Sequence, residues 1–318
     1  MKAIIVQAEK EDRDLIYTDV EKPTLQSGEV LVKVAAAGVN RGDILQAAGH
    51  YPPPPGASEI MGLECAGTIV DAGDTNQQVG TEVACLLAGG GYGEYVEVPE
   101  GQLMPIPKGF SLSEAASVVE VACTVWSNLG MLAKVTEGQR VLIHGGSGGI
   151  GSFAIQLCKA LGAEVAVTAG SQDKLDYCRN LGADILINYR EEDYSEVLKN
   201  SCDVILDIMG AKYLRGNMRA LANDGIQVGI GLQGGTKAEI NLGLLLAKRL
   251  TIAGTTLRGR SLEDKAAICR DTITHVWPLL EDGQIRHHIY ASYPIAEAAQ
   301  AHRDLVSGEV TGKLVLEF

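Results

Sequence analysis

Residues 140–174 of this chain read RVLIHGGSGGIGSFAIQLCKALGAEVAVTAGSQDK, and the order of residue types in that stretch decides the fold. Val141-Leu142-Ile143 is a short apolar run, the pattern of a parallel strand covered on both faces. It leads into Gly146-Ser147-Gly148-Gly149-Ile150-Gly151, after which Phe153, Ala154, Leu157, Cys158 and Leu161 recur at helical spacing until Gly162 ends the helix. Strand, glycine turn and helix in that order open a βαβ unit. In the pattern G-x-G-x-x-G the first glycine permits the tight turn, the second lets backbone approach a pyrophosphate, and the third lets helix pack on strand. The helix N-terminus adds free N–H groups and a positive dipole end. A glycine turn alone reads equally well as packing. Flanked by strand and helix, Gly146, Ser147, Gly148, Gly149, Ile150 and Gly151 are expected to hold a dinucleotide.

The next turn bears on which dinucleotide. A site for NAD places Asp or Glu at the end of the second strand, about 20 residues on, to bind the ribose 2′-hydroxyl. Here the strand 164–168 ends in Ala169-Gly170-Ser171, and Lys174 follows. A hydroxyl and an ammonium suit a 2′-phosphate, so NADPH is the expected cofactor. Taken singly, Ser171 also reads as a plain helix cap and Lys174 as a solvated lysine. Asp173 could be the missing acid. Two residues past a capping serine, however, it falls in the first helical turn, where a carboxylate suits the dipole.

From Arg140 onward strands and helices alternate, with strands near 141–144, 164–168, 185–188, 203–207, 226–230 and 250–254. Six strands with helices between them predict an α/β, doubly wound Rossmann domain, whose ligand crevice lies at the strands' C-terminal ends. The first 120 residues read instead as strands and turns, with strand-like runs at 3–7, 29–36, 67–71, 82–86 and 95–98. Pro52-Pro53-Pro54-Pro55 must be extended and stiff, and Gly89-Gly90-Gly91-Tyr92-Gly93 a tight loop. This part is expected to form a compact, mostly antiparallel β domain. A helix over 111–132, capped by Ser111 or Ser113, leads into the nucleotide domain. After Thr255 the alternation stops: a helix spans 261–283, and 289–318 give strand, helix, glycine turn and strand. The closing LVLEF has no sheet partner nearby and is expected to return to the β domain. The predicted domains are therefore 1–121 with 256–318, and 122–255.

At 318 residues and 46% hydrophobic content the chain can bury two cores. A net charge of −13 argues against nucleic acid or an anionic membrane as main partner. Seven scattered cysteines without a CxxC pair read as reduced thiols of a cytoplasmic protein. The opening MKAIIVQAEKEDRD has too short an apolar run and too many charges for a signal peptide, and no segment approaches membrane-spanning length.

Several stretches now carry a resemblance: AAGVNRGDILQAAGHYPPPPGAS (36–58), GLECAGTIV (62–70), VLIHGGSGGIG (141–151), TAGSQDKL (168–175), NYREEDY (188–194) and TGKLVLEF (311–318). Together they span the chain in the order of the zinc-free quinone oxidoreductases of the medium-chain dehydrogenase/reductase superfamily, the zeta-crystallin-like group, which the sequence resembles. The resemblance implies a GroES-like catalytic domain beside the Rossmann domain, and a homodimer. The sixth strand, 251–255, would be a bare sheet edge open to a second copy. Alcohol dehydrogenases of the superfamily bind catalytic zinc with a Cys just after Gly-Val and a His in Gly-His-Glu. The matching positions are Asn40 and Leu63, and the four-cysteine lobe for structural zinc is missing. Adjacent His287 and His288 point apart and read as surface histidines. No metal is expected.

At the reaction centre the resemblance places Asn40, Tyr51 and Thr124. Tyr51 begins the stiff proline run, which would make it a lid residue over the nicotinamide. A phenol, ordinarily titrating near about 10, is a hydrogen-bond donor rather than a base at neutral pH. Read without the family, Tyr51 is a loop aromatic over apolar surface and Asn40 a turn former. For the cofactor, the resemblance assigns Gly170, Ser171, Lys174 and Tyr189 to the 2′-phosphate end. It assigns Gly231, Leu232 and Gly234, whose glycines also serve plain turn chemistry, to the nicotinamide end. Relatives often carry Ser where Gly148 stands, with Ser147 here one place earlier.

The expected activity is NADPH-dependent quinone reduction without metal, since a quinone is already electrophilic and its reduction is driven by aromatisation. The alternative is reduction of an activated C=C bond in a 2-alkenal, enone or enoyl thioester. A thioester carrier would call for a basic mouth, and near 40–60 only Arg41 is basic. A reading of another class is an NADPH-binding sensor or structural protein with little turnover.

Overall fold

In a computed structural model the chain is described at residues 1–7 and 14–318. The charged stretch 8–13, which weighs against a signal peptide, lies outside the described residues. By contacts the chain divides into two units, Met1–Cys123 with Leu257–Glu281 and His287–Phe318, and Thr124–Thr256 with Asp282–Arg286. The segment Asp282–Arg286, expected with the β domain, groups with the nucleotide unit. Gln156 holds it there, accepting from the Arg286 N–H at 2.7 Å and donating to the Arg286 carbonyl at 3.1 Å.

The strands of the β unit are β1 (Lys2–Val6), β2 (Leu15–Asp19), β3 (Glu29–Val39), β4 (Glu64–Asp71), β5 (Glu82–Leu86), β6 (Tyr95–Pro99) and β7 (Leu103–Pro105). The nucleotide unit supplies β8 (Arg140–His144), β9 (Glu164–Ala169), β10 (Ile185–Asn188), β11 (Cys202–Asp207), β12 (Leu221–Gly229) and β13 (Thr251–Gly254), and the chain closes with β14 (Ile289–Pro294) and β15 (Lys313–Glu317).

In the nucleotide unit the six strands run in the order β10-β9-β8-β11-β12-β13, every pair parallel. β8, β9 and β11 are buried along almost their whole length, which is why their sequences are continuous apolar runs rather than alternations. β9 and β11 leave β8 in opposite directions, so the order reverses beside β8. That reversal is where a doubly wound sheet opens a crevice at the strand ends.

The β unit is a seven-stranded sheet in the order β14-β15-β3-β4-β5-β7, with β6 also paired to β3, beside a two-stranded β1-β2 sheet. Its core gathers Val30, Val32 and Val34 of β3, Ile69 of β4, Val96 and Val98 of β6, and Leu314 and Leu316 of β15. The closing strand does return here: β15 runs antiparallel to β3 with Leu314 opposite Val39. Lys313, the first residue of β15, thereby comes beside Asn40. β2 carries no apolar alternation strong enough to have been expected.

Two helices differ from expectation. The helix expected over 111–132 is three pieces, Leu112–Ala116, Val119–Val125 and a π-helical Trp126–Leu132, the last closed by a bond from the Ala133 N–H to the Asn128 carbonyl. The helix expected over 261–283 stops at His275 and resumes over Trp277–Glu281. Pro278 has no N–H to continue the ladder, which accounts for the break. His287 is not a free surface residue. Half-buried, it bonds Ser117 Oγ through Nε2 at 2.7 Å and stacks on Phe110, and burial pushes its pKa down to about 3.

Candidate functional site

β8 ends at His144, and the chain turns through Gly145 at φ 72° into a helix, Gly149–Ala160, that begins at Gly148 with no side-chain cap. The tight turn is thus taken by Gly145, one residue ahead of the expected first glycine. Gly146 is required for packing, because a Cβ there would lie 2.9 Å from both Cys178 Sγ and Val167 Cβ. A Cβ on Gly151 would lie 2.3 Å from the Gly145 carbonyl oxygen, so only glycine lets the helix start so close to the strand. At Gly148 the nearest atom to a Cβ is 3.7 Å away, leaving open space at the helix N-terminus. The N–H groups of Gly149, Ile150 and Gly151 precede the helix's own hydrogen bonds. Open space, uncommitted donors and a positive dipole end are what a pyrophosphate needs. Buried Ser147 completes the loop.

His144 is locked below that loop. Nε2 donates to Asn217 Oδ1 at 2.8 Å, Nδ1 meets Thr168 Oγ1 at 3.0 Å, and Tyr194 and Tyr213 pack edge-on against the ring. Burial holds its pKa down near about 4, so the ring is neutral and structural.

The turn after β9 brings Gly170, Ser171 and Tyr189 together. Ser171 begins the helix Gln172–Asn180 with extended backbone and makes no side-chain cap bond, which leaves its hydroxyl for a ligand. A Cβ on Gly170 would lie 2.5 Å from the Tyr189 hydroxyl and 3.4 Å from Arg190 Nε. Arg190 is therefore a second cation at this turn. It stands next to Tyr189 in NYREEDY, and that adjacency was the only signal for it. Lys174 is half-buried in the first turn of the same helix, with Asp173 beside it in sequence. These donors and cations fit a 2′-phosphate.

Gly231 and Gly234 lie in a loop joined to the loop after β11. Gly234 N–H donates to the Met209 carbonyl at 2.7 Å, and the Ala211 N–H to the Gly235 carbonyl at 3.0 Å. A Cβ on Gly231 would meet the Ile208 oxygen at 2.8 Å, and one on Gly234 the Met209 oxygen at 2.9 Å. Close backbone approach thus explains both glycines, and Leu232 between them is exposed. Asp207 shapes the facing loop by accepting from the Met209 and Gly210 N–H groups and from Gln227 Nε2. Thr124, also in this unit, is buried two residues before the π-helical segment and accepts from Asn128 Nδ2 at 2.7 Å through its carbonyl. π-helical turns recur at functional sites.

In the β unit, Asn40 starts the helix Arg41–Ala47 with extended backbone, its N–H donating to the Asp43 carboxylate at 2.8 Å. Its Nδ2 donates to Glu64 Oε1 at 2.8 Å, and its Oδ1 accepts from Lys313 Nζ at 2.6 Å. Lys313 Nζ also lies 2.7 Å from Glu64 Oε1, with side-chain exposures of 6% and 0% for the pair. Glu64 Oε2 accepts from the Glu120 N–H at 2.8 Å. Gly38 makes room for that carboxylate, since its Cβ would fall 2.2 Å from Glu64 Oε1. Below them Asp43 accepts from the Asn40 and Gly62 N–H groups and from Tyr92 OH, which in turn meets His302 Nε2 at 3.2 Å. Burial pushes the Asp43 carboxyl up to about 7 and the His302 imidazole down to about 4. Tyr51 lies past the same helix, where a Cβ on Gly42 would come within 3.4 Å of its ring.

These residues do not fit a zinc ion. At the two positions matching the ligands of zinc-dependent relatives stand an amide already spent on both sides and a leucine, and an ammonium lies between Asn40 and Glu64. Among the described residues no group of three His, Cys, Asp or Glu side chains could hold a metal.

Residues 26–108 match the alcohol dehydrogenase GroES-like domain family, and residues 149–270 the zinc-binding dehydrogenase family. The chain is 30% identical over 312 residues to the quinone oxidoreductase of Mus musculus, covering 95% of this chain and 92% of that protein. It is 34% identical over 303 residues, 92% of its length, to the phthioceranic/hydroxyphthioceranic acid synthase of Mycobacterium tuberculosis, but spans only 14% of that protein. Among solved structures, the Escherichia coli quinone oxidoreductase complexed with NADPH superimposes with a TM-score of 0.88 at 26% identity, covering 100% of both chains. The CurK enoyl reductase superimposes with a TM-score of 0.85 at 25% identity, over 99% of this chain and 98% of that one.

Proposed function

We propose that this chain, which belongs to the medium-chain dehydrogenase/reductase superfamily, is an NADPH-dependent quinone oxidoreductase that works without a metal. The observation that carries the reading is the buried Lys313–Asn40–Glu64 cluster, which engages both ends of the Asn40 amide, one of the two positions, with Leu63, that the resemblance matches to zinc ligands of zinc-dependent relatives. Without a Lewis acid there is no strong means of stabilising an alkoxide, so the acceptor must already be electrophilic. A quinone meets that requirement.

Gly148, Gly149, Ile150 and Gly151 hold the pyrophosphate at the helix N-terminus, and Ser171, Lys174, Tyr189 and Arg190 hold the 2′-phosphate. Gly231, Leu232 and Gly234 line the nicotinamide end. Bound there, the nicotinamide supplies a hydride, and positioning carries most of the rate. Tyr51 donates a hydrogen bond to the acceptor oxygen, Asn40 is held rigid by Glu64 and Lys313, and Thr124 completes the set.

Reduction of an activated C=C bond is the second reading, supported by the likeness to the CurK enoyl reductase. It asks for the same hydride geometry. A homodimer and a cytoplasmic, reducing location are part of the proposal. Among the described residues β13 pairs on one side only, and its Ile252 is exposed. All seven cysteines are unpaired. Light scattering should give twice the chain mass at micromolar concentration.

The direct test is turnover after exhaustive chelation. Chelated protein should oxidise NADPH with para-quinones at an undiminished rate, and Tyr51→Phe should slow it on the order of 10- to 100-fold. Loss of activity on chelation, restored by zinc, would end the metal-free reading.

A further inference from the structure

We propose that Arg258 is the positioning residue for Tyr51, a guanidinium clamp that closes the four-proline loop and sets the direction of the phenol. The inference rests on the role given to Tyr51 above. Arg258 stands just past β13, in the segment where the chain rejoins the β unit. It is 5% exposed. A buried guanidinium is costly unless its donors are matched. Three neutral acceptors compensate it. Nε donates to the Ala88 carbonyl at 2.7 Å, Nη1 to the Tyr51 carbonyl at 2.9 Å, and Nη2 to Gln46 Oε1 at 2.7 Å.

Those acceptors belong to three separate segments: the glycine-rich loop after β5, the start of the proline loop, and the end of the helix Arg41–Ala47. Gln46 extends the clamp, because its Nε2 donates to the Glu59 carbonyl at 3.0 Å. Arg258 and Gln46 therefore tie down both ends of the loop from Tyr51 to Glu59. The guanidinium also lies over the Tyr51 ring, 5.0 Å from its centroid, where a cation is attracted to the aromatic face. Carbonyl and ring of Tyr51 are held by one side chain, which leaves the hydroxyl a single direction. A planar fork with fixed donor directions can do this, and a lysine with one point of charge cannot.

The experiment combines hydrogen exchange with kinetics on Arg258→Lys, Tyr51→Phe and the double variant, with Gln46→Ala as a milder cut in the same clamp should Arg258→Lys fold poorly. Arg258→Lys should raise amide exchange across 46–59 while NADPH affinity stays within about twofold. It should lower kcat for a para-quinone on the order of 10- to 100-fold, the cost of misplacing a reacting group by about 1 Å. In the Tyr51→Phe background the same substitution should cost no more than about threefold, because the phenol it positions is gone. Gln46→Ala should move exchange and kcat in the same directions by less. Unchanged exchange over 46–59 in both clamp variants would overturn the clamp. Faster exchange with kcat intact would overturn the positioning role and place the failure in the reading of Tyr51. Equal kcat losses with and without the phenol would also overturn it, since a general loss of structure is additive.

Discussion

Lys313 carries a charge into the interior of the β unit and meets its counter-charge there, with Asn40 bridging the two. Both charges have lost their water, so removing one strands the other. Lys313→Met should cost about 3–5 kcal/mol of stability, read as a lowered urea midpoint. Adding Glu64→Gln should recover most of that loss, because the stranded carboxylate is then neutral. A single variant as stable as the parent would refute the buried pair. Asn40 was legible from the motif AAGVNRGD, but its surroundings were not. Lys313 lies 273 positions away in sequence, and only the return of β15 to β3 brings it alongside. The return was expected, since LVLEF had no other sheet to join; register is a tertiary fact. Arg258 escaped notice for the same reason, as all three of its acceptors are distant in sequence.

At the level of elements, the phosphate loop makes a prediction that separates two glycines. Gly151→Ala drives a methyl into the Gly145 carbonyl at 2.3 Å, whereas at Gly148 the space is open to 3.7 Å. Gly151→Ala should weaken NADPH binding by about 100-fold or more, while Gly148→Ser should stay within about threefold. Fluorescence titration of the cofactor decides it. Equal effects at the two positions would show that the third glycine does not set helix–strand packing. The strand, turn and helix of this loop were readable because their periodicities change abruptly at the glycines. The turn residue itself was misplaced by one, because consecutive glycines look alike until φ is known. The break at Ser117 and the π-helical turn were hidden by a continuous apolar and alanine-rich pattern that suits one long helix equally well.

For the whole molecule, the parallel sheet and the β domain were both legible, the first from alternation and the second from short runs between glycines and prolines. Sheet order in the β unit was not, since short antiparallel strands carry no mark of their partners. Burial of His144 has a consequence for stability against acid. Its folded pKa of about 4 lies below the ordinary 6.5 of the unfolded chain, so its contribution is intact above pH 6.5 and is lost as pH falls toward 4. The slope is about 1.4 kcal/mol per pH unit. His302 acts in the same sense, while Asp43 and Asp207, whose carboxyls burial raises, act oppositely. His144→Gln leaves all three in place. Its Tm deficit against the parent should therefore shrink steadily from pH 6.5 to 4.5, and a deficit that does not change with pH would mean that the imidazole titrates in the fold as it does in the unfolded chain.

The measurement that bears most directly on the account is kcat/KM of the chelated protein with NADPH for a para-quinone and for a 2-alkenal, side by side. A metal-free site suited to an acceptor that is already electrophilic predicts the quinone to be favoured by about tenfold or more, since aromatisation supplies driving force the alkenal lacks. Turnover of the alkenal with none of the quinone would contradict the account and assign the chain to C=C reduction.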